Sequence, residues 1–190
     1  MTQHPSEYFQ LIDDLQRDDR WFLGSPSDSV GRPVEPDLFV GGGEVSGVQQ
    51  PLHVRLRRGG VPLDWTFADF DMPVVRATVL ALLQPLSVRI QAIPAFVDGA
   101  PSFYILNVLD VRDCLDESGS AFLKWRAEDG RPDRTGQYRQ VSRLRIDPVR
   151  AMDAHIFRLK GYEIALIVSE TIKRQFEQHA VSGVQFLPVS

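Results

Sequence analysis

Any chemistry in this chain would have to come from one cysteine, a run of carboxylates and four scattered histidines. Cys114 is a nucleophile only as a thiolate, which needs a base, a cation or a helix N-terminus to lower its pKa. It lies between Asp113 and Asp116, whose charges oppose ionisation, so it reads as packing at a strand end. Asp110, Asp113, Asp116 and Glu117 are the residue types of a hard-metal site. Their spacing lacks the central glycine and the closing bidentate glutamate of a calcium loop. On one strand Asp110 and Asp113 would also face opposite ways. His4, His53, His155 and His179 show neither the H-x-x-x-H nor the H-x-E spacing of zinc hydrolases and deaminases. No G-x-S-x-G elbow is present. Gly41-Gly42-Gly43 lacks dinucleotide-loop spacing and a phosphate-binding lysine, and reads as a flexible turn. The expectation is a protein without catalytic residues, metal or cofactor.

Composition narrows the class further. With 43% hydrophobic and 24% charged residues over 190 positions, the chain suits one globular domain. No apolar run approaches the ~20 residues that span a bilayer, so no membrane partner is expected. The start, MTQHPSEYFQ, has neither the basic nor the apolar region of a signal peptide. A single cysteine excludes an internal disulfide framework. These features point to the cytoplasm.

Charge is unevenly distributed. Residues 1–50 carry nine acids and three arginines, net −6, whereas residues 51–190 carry sixteen acids and eighteen bases. Such an acidic stretch repels nucleic acid and attracts basic proteins; the plainer reading is a solubilising loop. Arg55, Arg57 and Arg58, with Arg139, Arg143 and Arg145, form two basic stripes. A pI of 5.6 disfavours nucleic-acid binding, leaving ion-paired strand faces or a protein contact. Trp21, Trp65 and Trp125 are core candidates first and interface anchors second.

The elements that would position these residues are mostly strands. The first 50 residues are turn-rich, with short strands at Tyr8–Ile12 and Trp21–Leu23. His53–Arg58 alternates, and Gly59-Gly60 suggests a hairpin returning along Val61–Phe67. Asp71 with Pro73 looks like a helix start, predicting a buried helix over about 72–84. Val88–Val97 and Phe103–Val111 are expected to pair antiparallel across the turn Asp98–Pro101, with Pro94 marking an edge or bulge. Ser142–Ile146 alternates with Leu144 and Ile146 inward. His155–Leu159 and Ile164–Val168 should form a hairpin about Lys160-Gly161. A helix over about 169–180, capped by Ser169, puts Ile172 and Phe176 on one face, and Val184–Pro188 ends the chain as a strand. Sheets with two main helices give an α+β class.

Four blocks carry a resemblance: PLDWTFADFDMPVV (Pro62–Val75), YILNVLDVRDCLDE (Tyr104–Glu117), GRPDRTGQYRQVSRLRIDP (Gly130–Pro148) and HIFRLKGYEIALIVSE (His155–Glu170). Together they resemble a family of bacterial immunity proteins, immunity family eleven, which is associated with polymorphic toxin systems. The likeness spans about residues 50–188, beyond an acidic segment of about 1–50. It implies a non-enzyme that binds and neutralises a cognate toxin domain by occlusion, in the cytoplasm of the producing cell. The residues expected to meet the toxin are Asp13, Asp14, Asp18, Asp19, Trp21, Trp125, Arg143 and Arg145. The rival readings are a small hydrolase or transferase using Cys114 or the Asp110–Glu117 carboxylates, and a regulatory binding module. Oligomeric state and toxin identity have no signal in the sequence.

Overall fold

Strands that are apolar on both faces need a covering layer on each side, and that requirement organises the whole chain. A computed structural model describes residues 7–98 and 100–190; His4 and Gly99 lie outside them. In chain order the first elements are β1 (Tyr8–Asp13), β2 (Phe22–Ser27), β3 (Leu52–Arg58), β4 (Trp65–Ala68), β5 (Met72–Arg76) and α1 (Ala77–Leu83). Next come β6 (Ile90–Val97), β7 (Ala100–Val108), β8 (Val111–Arg112), β9 (Ala121–Lys124) and β10 (Tyr138–Arg143). The chain closes with α2 (Pro148–Ala151), β11 (Ile156–Leu159), β12 (Tyr162–Ser169), α3 (Glu170–Gln178) and β13 (Val184–Pro188). Among the described residues the strands form a six-stranded sheet β2-β3-β6-β7-β5-β4, a five-stranded sheet β13-β1-β12-β11-β8, and the separate hairpin β9–β10. The class is α+β, with mostly antiparallel pairing.

Three apolar clusters lie on either side of these sheets and between them. The central one joins Trp65, Val75 and Leu106 of the larger sheet to Phe9, Leu166 and Val168 of the smaller, with α1 and α3 packed in through Val79, Leu83, Ile172 and Phe176. The larger sheet's outer face is covered by the loop residues Val34, Phe39 and Val45. The smaller sheet's outer face packs Phe157 and Ile167 against Cys114, Leu144 and Ile146. Strand alternation does the sorting: in β12 Leu166 and Val168 face the central layer, while Ala165 and Ile167 face away.

Several expectations about local structure are corrected. The helix expected over about 72–84 is α1 alone; residues 72–76 are strand β5, paired with β4 (Val75 with Trp65) and with β7 (Val74 with Ile105). Val74 and Val75 are apolar because each faces a different core, which a short run cannot distinguish from an all-round buried helix. Nor does β3 return along 61–67. It pairs antiparallel with β2 and parallel with β6, and Gly60 instead lets the chain pass the Arg20 backbone, where a Cβ would come within 2.5 Å.

The strand expected over Ser142–Ile146 is instead Tyr138–Arg143, with Leu144 and Ile146 buried beyond its end, and that expected at Trp21–Leu23 runs over Phe22–Ser27; β6, β7, β11 and β12 lie where alternation puts them. β6 and β7 pair antiparallel. β3 covers β6 only over Ala95–Val97, so Pro94 falls just outside that ladder. β11 and β12 form the hairpin. Gly42 is more than a flexible turn: at φ 77 its Cβ position would sit 2.2 Å from Val111. The amides of Gln91 and Asn107 pin this strap, with Gln91 bonded both ways to the Val45 backbone at 2.9 Å and Asn107 donating to the Gly43 carbonyl at 2.8 Å.

The helix α3 docks through Ile172 and Phe176, the latter stacked at 5.9 Å from Trp65 and 6.4 Å from Phe186. Its outer face carries the i,i+4 pairs Glu170–Arg174 and Lys173–Glu177. Phe176→Ala should cost about 3–5 kcal/mol in urea unfolding. A loss below about 1 kcal/mol would mean that the ring fills no core.

Candidate partner-binding surface

The side chains with chemical potential are committed to the fold. Cys114 is fully buried, and burial pushes its thiol up to about 12, far from the thiolate a nucleophile needs. His155 Nδ1 meets the Ser169 hydroxyl at 2.8 Å, occupying the group that would otherwise cap α3. His53 stacks on Phe96, and His179 lies against the Gln175 carbonyl. The carboxylates are separated. Asp110 pairs with Arg112 at 2.7 Å, Asp113 with Arg150 at 3.2 Å, and Glu117 with Lys124 at 2.6 Å. Hydrogen bonding from the Ser118 hydroxyl holds Asp116 below the usual carboxylate range. Three of them line a cleft of about 750 Å³, yet no metal-ligating cluster of His, Cys, Asp or Glu occurs among the described residues.

The acidic N-terminal segment is less exposed as a charge than its composition suggests. Its three arginines each take one acid: Arg20–Asp13 at 2.9 Å, Arg17–Asp19 at 3.1 Å and Arg32–Asp28 at 2.7 Å. The Arg20 guanidinium is buried, and Asp13 also accepts the Phe67 amide; burial lifts the Asp13 carboxyl above its usual range despite Arg20. Asp14 accepts from Gln185. Among the described residues Glu7, Asp14, Asp18, Glu35, Asp37 and Glu44 form no ion pair, so the unanswered charge sits as much on the 35–44 loop as on the residues before it.

The tryptophans divide. Trp21 is a core residue, packed on Phe103 at 5.2 Å with its indole N–H donating to Thr66 at 2.7 Å. It presents no face to a partner, and Asp13 presents little. Trp125 is half-buried beneath the Arg139 guanidinium, 4.8 Å from its ring. Arg143 and Arg145 are exposed at the end of the β9–β10 hairpin, with Arg145 donating to the Pro188 carbonyl.

Sequence reasoning passed over a second surface. A groove of about 370 Å³ opens between the Asp69–Asp71 turn and the β9–β10 hairpin, lined among others by Asp37, Phe70, Trp125, Tyr162, Glu163 and Ile164. Phe70 is 65% exposed, Leu38 49% and Ile164 44%. Phe70 adopts φ 59, ψ 34 and Asp71 φ 56, a left-handed conformation costing about 1–2 kcal/mol for a residue with a Cβ. The turn is held from below by Arg158, which is fully buried. Its guanidinium donates to the Glu163 carbonyl at 2.7 Å and the Asp71 carbonyl at 3.2 Å. Burial lowers its pKa to about 10, so it stays charged at neutral pH. In FADFDMP only the aspartates belong to residue types that tolerate the left-handed region, and no glycine or asparagine stands at Phe70 to signal the turn.

Comparison with known proteins decides the family. A family model described as immunity protein family (Imm11) matches residues 90–190, more than half of the chain. The chain belongs to this immunity protein family. The match runs from β6 to β13 and includes three of the four blocks above, but not Pro62–Val75. No curated protein matches the chain. Among the described residues no helix is long and apolar enough to cross a membrane.

The buried thiol has a direct test. Cys114 should be unreactive toward Ellman's reagent at pH 8 in the folded protein and titrate fully in denaturant. Prompt labelling without denaturant would show an accessible thiolate.

Proposed function

We propose that this immunity protein binds one cognate bacterial toxin and blocks it by occlusion, in the cytoplasm of the cell that makes both. Membership of the immunity family carries the reading. The disposition of reactive groups supports it: the thiol is buried and neutral, and the carboxylates are answered by neighbouring cations or hydroxyls. Occlusion needs only a complementary surface, and toxins that act on nucleic acid have basic clefts that would favour an acidic partner. In this reading the partner is a protein domain, with no nucleic acid, membrane or cofactor involved. Asp14, Asp18, Asp19, Arg143 and Arg145 supply a charged rim, and Trp125 an aromatic contact.

Co-expression tests this directly. The chain should rescue cells expressing the toxin domain encoded beside it and co-purify with that domain. Cys114→Ala should protect as well as wild type does. A folded Cys114→Ala protein that failed to protect would favour chemistry at the thiol, and a wild-type chain that neither rescued nor co-purified would end the binding reading.

A further inference from the structure

We propose that the toxin docks in the groove between the Phe70 turn and the β9–β10 hairpin, placing a basic segment with an apolar anchor there; this rests on the toxin-binding reading above. Three observations converge on that groove. The first is exposed apolar surface, with Phe70 and Ile164 standing out around a depression that Trp125 and Tyr162 also line, and Leu38 exposed in the depression beside it. Grouped apolar side chains of this kind mark interaction sites in soluble proteins.

The second is how Phe70 is presented. Its ring points to solvent from a left-handed backbone, and the buried Arg158 ties the carbonyls of Asp71 and Glu163 together. Residues 70–71, beside the larger sheet's edge strand β4, and residues 163–164, in the smaller sheet's central strand β12, are therefore clamped to one another. A strained aromatic on a clamped turn is pre-organised, and rigid aromatic anchors dominate binding energy.

The third is charge. Asp37 and Glu44 form no ion pair among the described residues and Asp71 and Glu163 share the buried Arg158, while the nearby Arg134 and Arg139 already face Asp133 and Asp129. A second depression, of about 380 Å³ and lined by Leu38 and Glu44, adjoins the groove through Asp37. The surplus is negative, which suits a cationic partner. It disfavours a second copy of this chain, because a two-fold contact would set the same acids against each other.

Binding of the purified, catalytically inactivated toxin domain against which the chain protects would test the proposal, using biosensor kinetics. Phe70→Gly removes the ring while glycine accepts the backbone angle, so the variant should melt no lower than wild type. Its affinity should fall roughly thirtyfold or more, the size of a hot-spot loss. Ile164→Ser should weaken binding as well. Asp37→Lys with Glu44→Lys should slow association at low salt, the difference shrinking near about 0.5 M, where screening falls to roughly 4 Å. Leu123→Ser, which removes an exposed side chain of β9 away from the groove lining, should change little. Wild-type affinity in the folded Phe70→Gly and Ile164→Ser variants, with the wild-type chain binding tightly, would overturn the groove and leave the toxin-binding reading intact. A concentration-dependent dimer abolished by Phe70→Gly would overturn it in favour of self-association. A wild-type chain that bound no toxin would sink both.

Discussion

A charged guanidinium sealed inside the protein is the constraint on which the exposed Phe70 turn depends. Arg158 belongs to β11, between β12 and β8 of the smaller sheet, yet its donors reach the turn between β4 and β5 of the larger one. Burying an unpaired charge is costly, so the carbonyls of Asp71, Glu163 and Ile164 must converge on it. That convergence fixes the backbone of residues 69–71 in a conformation their own sequence does not favour. The exposed Phe70 ring follows from a need met in the interior.

The family match begins at the start of β6, yet neither sheet is complete without what comes before it. β1 lies between β12 and β13, and β4 and β5 extend the larger sheet beyond β7. The central layer joins both halves through Trp65, Phe9 and Phe176. Gly183 shows how tightly they meet, since a Cβ there would lie 2.0 Å from the Trp65 carbonyl. The first 89 residues thus act as structural partners of the matched region, and they also contribute Asp37 and Phe70 to the groove it shares with Trp125 and Ile164.

Charge behaves differently in the folded chain than along it. Counting puts the acidity in residues 1–50; folding spends three of those acids on the three arginines of the same stretch. What stays unanswered is shared between the residues before β2 and the 35–44 loop. An ion pair such as Arg32–Asp28 is nearly local, but Arg20–Asp13 exists because Arg20 is buried beside β1, and no composition count contains that.

The sequence by itself determined the α+β class, the β11–β12 hairpin, the paired β6 and β7, the buried face of α3 and the family, because each is written in short-range periodicity or in a local pattern of residues. Alternation identifies a strand's two faces and a 3.6-residue repeat identifies a helix's one. Neither says which strand lies alongside. Only the tertiary structure therefore decided that β3 joins β2 and β6, and that Met72–Arg76 is a strand between two others rather than a helix turn. It decided too that Trp21 is core while Trp125 is surface, and that Phe70 stands over a groove. Each depends on contacts between residues tens of positions apart, whose free energy exceeds the local preferences that a single stretch of sequence expresses.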